Sequence, residues 1–140
     1  WSSGIFVPKK PIFLYCARLV KHKGILSLLK TFQKFDKNKY QLLLVGDGPL
    51  KNSVIRQIQS RKVNGIYLGK LSQTNLSHIM QKSDYFINPS FNDPFSRTLS
   101  EALSSGCYCI SSIHDDATHD LINNNNGIKF NSKNKREKTC

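Results

Sequence analysis

The chain has 140 residues, and its 21 Lys and Arg residues outnumber its 9 Asp and Glu residues to give a formal net charge of +12 at pH 7. This length builds one domain with a real core, and the lack of an apolar run of about 18 residues excludes a membrane-spanning helix. The positive charge predicts attraction to anions such as nucleotide phosphates, nucleic acid or acidic lipid headgroups.

Apolar runs of strand length alternate along the chain with segments of helical spacing. The predicted strands are Pro11–Ala17, Tyr40–Val45, Ile66–Gly69, Asp84–Asn88, Cys107–Ser112 and Ile128–Phe130. The predicted helices are Ile25–Phe35, a segment from Pro49, one capped by Ser72, Ser96–Gly106 and a short one within His114–Ile122. Continuous apolar strands are typical of buried parallel strands, so the alternation predicts an α/β, doubly wound, Rossmann-like parallel sheet.

In such folds ligands bind beyond the carboxyl ends of the strands. Four predicted loops meet there: Arg18–Gly24, Gly46–Pro49, Gly69–Ser72 and Pro89–Ser96. Arg18 and Lys23 are candidates for binding phosphate, because a guanidinium donates two parallel hydrogen bonds to phosphate oxygens and an ammonium adds a positive point charge. Gly24 would let the helix start approach a ligand closely. The loops contain neither G-x-G-x-x-G nor a Walker motif, which disfavours dinucleotide and P-loop sites.

The stretch from Ser90 to Gly106 is predicted to be a loop that becomes a helix. Asp93 lies in the loop and Glu101 in the second helical turn, with seven residues between them. A helix N-terminus favours phosphate, and carboxylates accept hydrogen bonds from hydroxyl groups, so a nucleotide sugar suits this stretch. The alternative is that both acids only complement the helix dipole.

Cys16, Cys107 and Cys109 lie in apolar runs, where free cysteine behaves as a small hydrophobe. Core packing is favoured for the C-x-C pair over a metal site, because no second pair has metal-site spacing. No disulfide is indicated, and we expect a reducing, cytoplasmic setting.

Taken together, these motifs resemble the C-terminal donor-binding domain of GT-B glycosyltransferases of family 4, the "glycosyl transferases group 1" domain. The similarity spans about Ile12 to Phe130. The matching stretches are Ala17–Gly24, Leu44–Leu50, Tyr67–Gly69, Ser83–Ser90, Asp93–Phe95 and Glu101–Leu103, with Gly106 and Gly127.

The resemblance implies a role for each matching residue. Arg18 and Lys23 would bind the donor diphosphate, Asp93 the hydroxyls of the transferred sugar and Glu101 the ribose hydroxyls. The predicted catalytic residues are therefore Arg18, Lys23, Asp93 and Glu101. The predicted donor-binding residues are Gly24, Gly46, Gly48, Lys70, Leu71, Phe95, Ser96, Arg97 and Thr98. The backbone of Phe95–Thr98 would meet phosphate, and Lys70 and Leu71 would lie near the base. Family members are retaining and need no bound metal or other cofactor, because basic residues stabilise the leaving diphosphate.

The resemblance also sets the expected organisation and partners. We expect a linker over residues 1–11, the nucleotide-sugar-binding domain over 12–130 and a basic flexible tail over 131–140. The chain starts with Trp, so we expect either a piece of a longer product or a processed or engineered chain. The resemblance implies an N-terminal acceptor-binding GT-B domain in cis or in trans. The implied acceptor is a glycan or a lipid-linked sugar in surface polysaccharide or lipopolysaccharide biosynthesis. The basic surface predicts peripheral contact with anionic membrane at its inner face.

Two alternatives belong to other functional classes. Asp93 stands where the family usually has Glu, and this substitution together with the expected truncation favours a degenerate, non-catalytic nucleotide-sugar-binding module. Ser96 stands where Gly is customary, which would limit backbone approach or add a hydroxyl contact. Nucleic-acid binding by charge is disfavoured, because neither aromatic interleaving nor a recognised module accompanies the lysines.

Overall fold

The computed structural model describes residues 9–131, so the predicted linker lies partly, and the predicted tail mostly, outside the described residues. Its six strands agree closely with the predicted ones. They are β1 Ile12–Cys16, β2 Gln41–Val45, β3 Gly65–Gly69, β4 Tyr85–Asn88, β5 Tyr108–Ser112 and β6 Gly127–Phe130.

Five α-helices connect the strands. They are α1 Ile25–Phe32, α2 Lys51–Gln59, α3 Gln73–Lys82, α4 Arg97–Ser104 and α5 Asp116–Leu121, with short 3-10 turns at Lys21–Lys23 and Lys37–Lys39. The Ser72 hydroxyl accepts the Asn75 amide at 3.2 Å, which confirms the predicted cap of α3. Gly106 follows α4 with a φ of 90°, as expected of a glycine just past a helix end.

All six strands are parallel, in the order β3-β2-β1-β4-β5-β6. This arrangement confirms the doubly wound Rossmann-like fold. The strand order reverses between β1 and β4, and a crevice opens at the carboxyl ends of the strands at such a switch point. The sheet topology therefore fixes where a ligand site is expected.

Two apolar clusters cover opposite faces of the sheet. On one face Leu14 and Phe86 pack with residues of α3, α4 and α5, and on the other Tyr15 and Leu44 pack with residues of α1 and α2. Cys107 and Cys109 are buried in the first cluster, which confirms their predicted core role. No helix within residues 9–131 is long and apolar enough to cross a membrane.

The predicted helix Ile25–Phe35 was too long at its C-terminus. After Gln33 the backbone amides donate to the carbonyl three residues earlier instead of four. Lys34 N donates to Thr31 O and Phe35 N donates to Phe32 O. The Asp36 carboxylate then caps the next turn by accepting the Asn38 amide at 2.9 Å. Phe35 consequently leaves the apolar face and is 53% exposed.

Candidate functional site

A cleft of about 450 Å³ lies at the carboxyl ends of β1, β2 and β3, beside the start of α4. Six predicted site residues line it together. Its lining residues are Cys16, Ala17, Arg18, Val45, Gly46, Asp47, Gly48, Lys70, Leu71, Leu76 and Thr98. Loops that are distant in the chain therefore converge on one concave, partly basic surface.

Gly46 lets the loops after β1 and β2 approach each other at the floor of this cleft. A Cβ there would lie 1.9 Å from the Ala17 carbonyl oxygen, and the φ of Gly46 is 145°. The amide of Ala17 donates to Val45 O at 3.1 Å, and the Tyr67 hydroxyl donates to Gly46 O at 2.6 Å. The local backbone thus demands glycine and sets the position of Arg18, whose side chain is exposed beside the cleft.

Lys23 and Asp93 form an ion pair that joins the loop after β1 to the loop after β4. The Lys23 side chain is 22% exposed and the Asp93 side chain only 8%. The Phe91 amide also donates to His22 O at 2.7 Å. Two predicted catalytic residues therefore do lie together, as partners of each other.

Gly24 lies close to the backbone of the loop after β4, and its approach to a ligand stays a prediction. A Cβ on Gly24 would lie 2.2 Å from the Pro89 carbonyl oxygen, and the φ of Gly24 is 81°. The glycine is required because the chain before α1 packs against backbone after β4.

At the start of α4, some backbone amides donate to side chains of the protein and others have no acceptor within the helix. The Phe95 amide donates to Asp93 Oδ1 at 3.1 Å, and the Ser96 amide donates to Asp115 Oδ1 at 3.1 Å. The Ser96 hydroxyl caps the helix by accepting the Leu99 amide. Helix geometry leaves the amides of Arg97 and Thr98 without an intrahelical acceptor, so these two suit an anion best.

Glu101 lies farther along α4 and accepts a hydrogen bond from Gln73 Nε2 of α3. Glu101 and Gln73 line a separate depression of about 260 Å³ between α3 and α4, so Glu101 is not among the lining residues of the cleft. Burial first and then the negative charge of Glu101 raise the pKa of the Cys16 thiol to about 11.

Asp115 is not among the site residues predicted from the sequence. Asp115 is fully buried and accepts the Asn88 side-chain amide at 2.8 Å in addition to the Ser96 amide. Asp115 is the N-cap residue of α5 and accepts the Ala117 amide. An Asp at a helix start is a signal that the sequence does show. Its contacts with Asn88 and Ser96 are long-range and carry no local signal.

No group of three or more His, Cys, Asp or Glu side chains within residues 9–131 is arranged to hold a metal ion. The expectation that the reaction needs no metal stays a prediction.

Comparison with known proteins gives a consistent result. The family model "Glycosyl transferases group 1" matches residues 3–138. N,N'-diacetylbacillosaminyl-diphospho-undecaprenol alpha-1,3-N-acetylgalactosaminyltransferase of Campylobacter jejuni is 26% identical over 138 residues, which are 98% of this chain and 35% of that protein. This chain spans about a third of that relative's length.

Solved structures share the fold at low sequence identity. Sucrose-phosphate synthase of Thermosynechococcus elongatus superposes with a TM-score of 0.80 at 22% identity, over 91% of this chain and 34% of that one. HepE of Anabaena, determined in complex with UDP, gives a TM-score of 0.76 at 19% identity, over 91% of this chain and 36% of its own.

Proposed function

The chain belongs to the glycosyl transferases group 1 family, and we propose that its cleft binds the nucleotide-sugar donor of a retaining glycosyltransferase. The observation that carries this proposal is the convergence of Arg18, Lys70 and the start of α4 on one cleft at the switch point of the sheet. Cationic side chains and free helix amides are complementary to a diphosphate.

Each group has a defined part in the proposed reaction. Arg18 and Lys23 neutralise the charge that develops on the leaving diphosphate, which lowers the barrier to breaking the glycosidic bond to phosphate. The amides of Arg97 and Thr98 hold phosphate oxygens, and Glu101 accepts the ribose hydroxyls. Lys70 and Leu71 flank the base, and Asp93 contacts hydroxyls of the transferred sugar.

The acceptor is proposed from the relatives. The Campylobacter jejuni relative is named for transfer to a diphospho-undecaprenol-linked sugar, and we infer a lipid-linked or glycan acceptor for this chain. An N-terminal GT-B domain in cis or in trans would supply the acceptor site, and the reaction would occur in the cytoplasm, in surface polysaccharide or lipopolysaccharide synthesis.

The basic residues from Lys129 to Lys138 would hold the protein at anionic membrane. Their replacement by Ser should weaken salt-dependent pelleting with anionic liposomes, and unchanged pelleting would count against membrane contact.

Calorimetric titration of the 140-residue chain with UDP and with GDP tests donor binding. We expect saturable binding of one nucleotide, weakened roughly tenfold or more in Arg18→Ala and in Glu101→Gln, because each loses a charge-assisted hydrogen bond. Arg56→Ala is the matched control, since Arg56 is exposed on α2 away from the cleft. Absence of binding by either nucleotide would refute the proposal.

A second candidate is a degenerate, non-catalytic nucleotide-sugar-binding module, and the Lys23–Asp93 ion pair favours it. The ammonium expected on the diphosphate and the carboxylate expected on the sugar neutralise each other. Competition of UDP-glucose and UDP-N-acetylgalactosamine against UDP tests whether Asp93 recognises a donor sugar, as a catalytic site requires. A catalytic donor site should bind one sugar nucleotide more tightly than UDP, and Asp93→Asn should abolish that preference. Equal affinities that Asp93→Asn leaves unchanged would support the degenerate module.

A further inference from the structure

A buried carboxylate lies directly behind the loop that begins α4. Asp115 has no exposed surface. Its Oδ1 accepts the backbone amides of Ser96 at 3.1 Å and Ala117 at 2.9 Å, and its Oδ2 accepts Asn88 Nδ2 at 2.8 Å. All three partners are N–H donors, so both carboxylate oxygens of Asp115 act as hydrogen-bond acceptors.

This one side chain joins the starts of two helices. Asp115 is the N-cap residue of α5, and Ser96, whose amide it accepts, is the N-cap residue of α4. The backbone reinforces the connection, because Asp93 N donates to His114 O at 3.0 Å and Asp116 N donates to Asp93 O at 3.0 Å. The loop 93–96 is therefore joined to the loop 114–116 at both of its ends, Asp93 and Ser96.

These hydrogen bonds determine which backbone amides at the start of α4 remain available to a ligand. Asp93 Oδ1 takes the Phe95 amide and Asp115 Oδ1 takes the Ser96 amide. The amides of Arg97 and Thr98 come next, and Thr98 lines the cleft.

We propose that Asp115 is a positioning residue for the diphosphate of the donor, an inference that rests on the proposed function. By holding the Ser96 amide it sets the direction of the first turn of α4, so that the Arg97 and Thr98 amides face the phosphates. Asp115 itself does not touch the nucleotide.

Three variants of the 140-residue chain separate this role from a general effect on folding. Asp115→Ser keeps a hydroxyl that caps α5 but is too short to reach the Ser96 amide. Asp115→Asn keeps an oxygen at the position of Oδ1 and should rescue that contact, once the Asn88 side-chain amide turns to offer its oxygen to the new NH2 group and accepts from the Ser111 hydroxyl. Asp116→Asn is the matched control, because the Asp116 side chain is exposed.

Affinities for UDP, for GDP and for the matching nucleosides are measured by NMR titration. Asp115→Ser should weaken binding of the nucleoside diphosphate about tenfold, the worth of roughly one hydrogen bond to a charged group. Nucleoside affinity should change less than about twofold, since the loss concerns phosphate contacts only. Asp115→Asn and Asp116→Asn should stay within about threefold of the unaltered chain for both ligands.

Other results for these affinities would contradict the inference. Equal loss of nucleoside and diphosphate in Asp115→Ser would indicate a merely structural role, and no loss of either would overturn the role outright. Hydrogen exchange in the unaltered chain gives a check that needs no variant, because the Ser96 amide should exchange far more slowly than those of Arg97 and Thr98. Rapid exchange at Ser96 would overturn the inference. If neither UDP nor GDP binds the unaltered chain, the proposed function fails and this inference fails with it.

Discussion

At the scale of single residues, the thiols next to the cleft and in the core have strongly shifted acidities. Burial raises the pKa of Cys16 from its ordinary value of 9.0 to about 11, with Glu101 adding to the shift. Burial likewise raises the pKa of Cys107 to about 11 and of Cys109 to about 12. These thiols are therefore protonated in the folded chain throughout the neutral range.

The shifts predict loss of stability at alkaline pH. Above pH 9.0 a thiol of the unfolded chain ionises while the folded one keeps its proton, so the unfolded state is favoured increasingly until the folded pKa of about 11 is reached. Urea unfolding midpoints should fall over this window, and less steeply in Cys16→Ala, which removes the contribution of one of the three buried thiols. Identical pH dependence of Cys16→Ala and the unaltered chain would show that the Cys16 pKa is not raised.

At the scale of elements, the junction between β1 and β2 depends on a close backbone approach. Gly46→Ala would put a Cβ 1.9 Å from the Ala17 carbonyl oxygen, so backbone must move as well as adopt an unfavourable φ. We expect it to lower the free energy of unfolding by roughly 3 kcal/mol or more. Urea denaturation measures this change.

Gly106→Ala is the control for the effect of φ alone. Gly106 has a φ of 90° and no atom within 4 Å of an added Cβ. Its replacement should cost only about 1–2 kcal/mol, the strain of a left-handed conformation. A Gly46→Ala cost no larger than this would mean that the two loops can separate freely.

Most element positions could be predicted from sequence, because strand and helix periodicities are local and the strands are nearly continuous apolar runs. The end of α1 could not, since it depends on competition between the helix and the cap at Asp36. Arg18, Gly46 and Lys70 were predictable as cleft residues, because parallel strands bring their following loops to one edge. The Gln73–Glu101 and Asp115–Ser96 contacts were not, because they join residues from different elements that no local pattern links.

At the scale of the whole molecule, one apolar part of the sheet is left uncovered by residues 9–131. A groove of about 710 Å³ lies beside the end of α1, with Phe13, Ile87, Ile110 and Phe130 in its lining. Ile128 pairs with Ile110 and so faces the same side, where it is 51% exposed. Exposed apolar surface of this kind promotes association.

Replacing Ile128 with Lys should reduce concentration-dependent association and binding of an apolar dye. Stability should change by no more than about 0.5 kcal/mol, because the side chain is half exposed. Ile66→Lys is the control, since Ile66 is 47% exposed but pairs with Leu43, whose side chain faces the opposite side of the sheet. Equal effects of the two variants in light scattering would show that the open groove has no special part in association.

Amide chemical-shift mapping during titration with UDP and with GDP tests whether the cleft at the switch point is the donor site. We expect saturable shifts for one nucleotide, largest at Arg18, Gly46, Lys70, Arg97 and Thr98, with none at Phe35 or Ile128. No saturable shifts with either nucleotide, or shifts centred on the groove beside α1, would contradict the assignment of the cleft as the donor site.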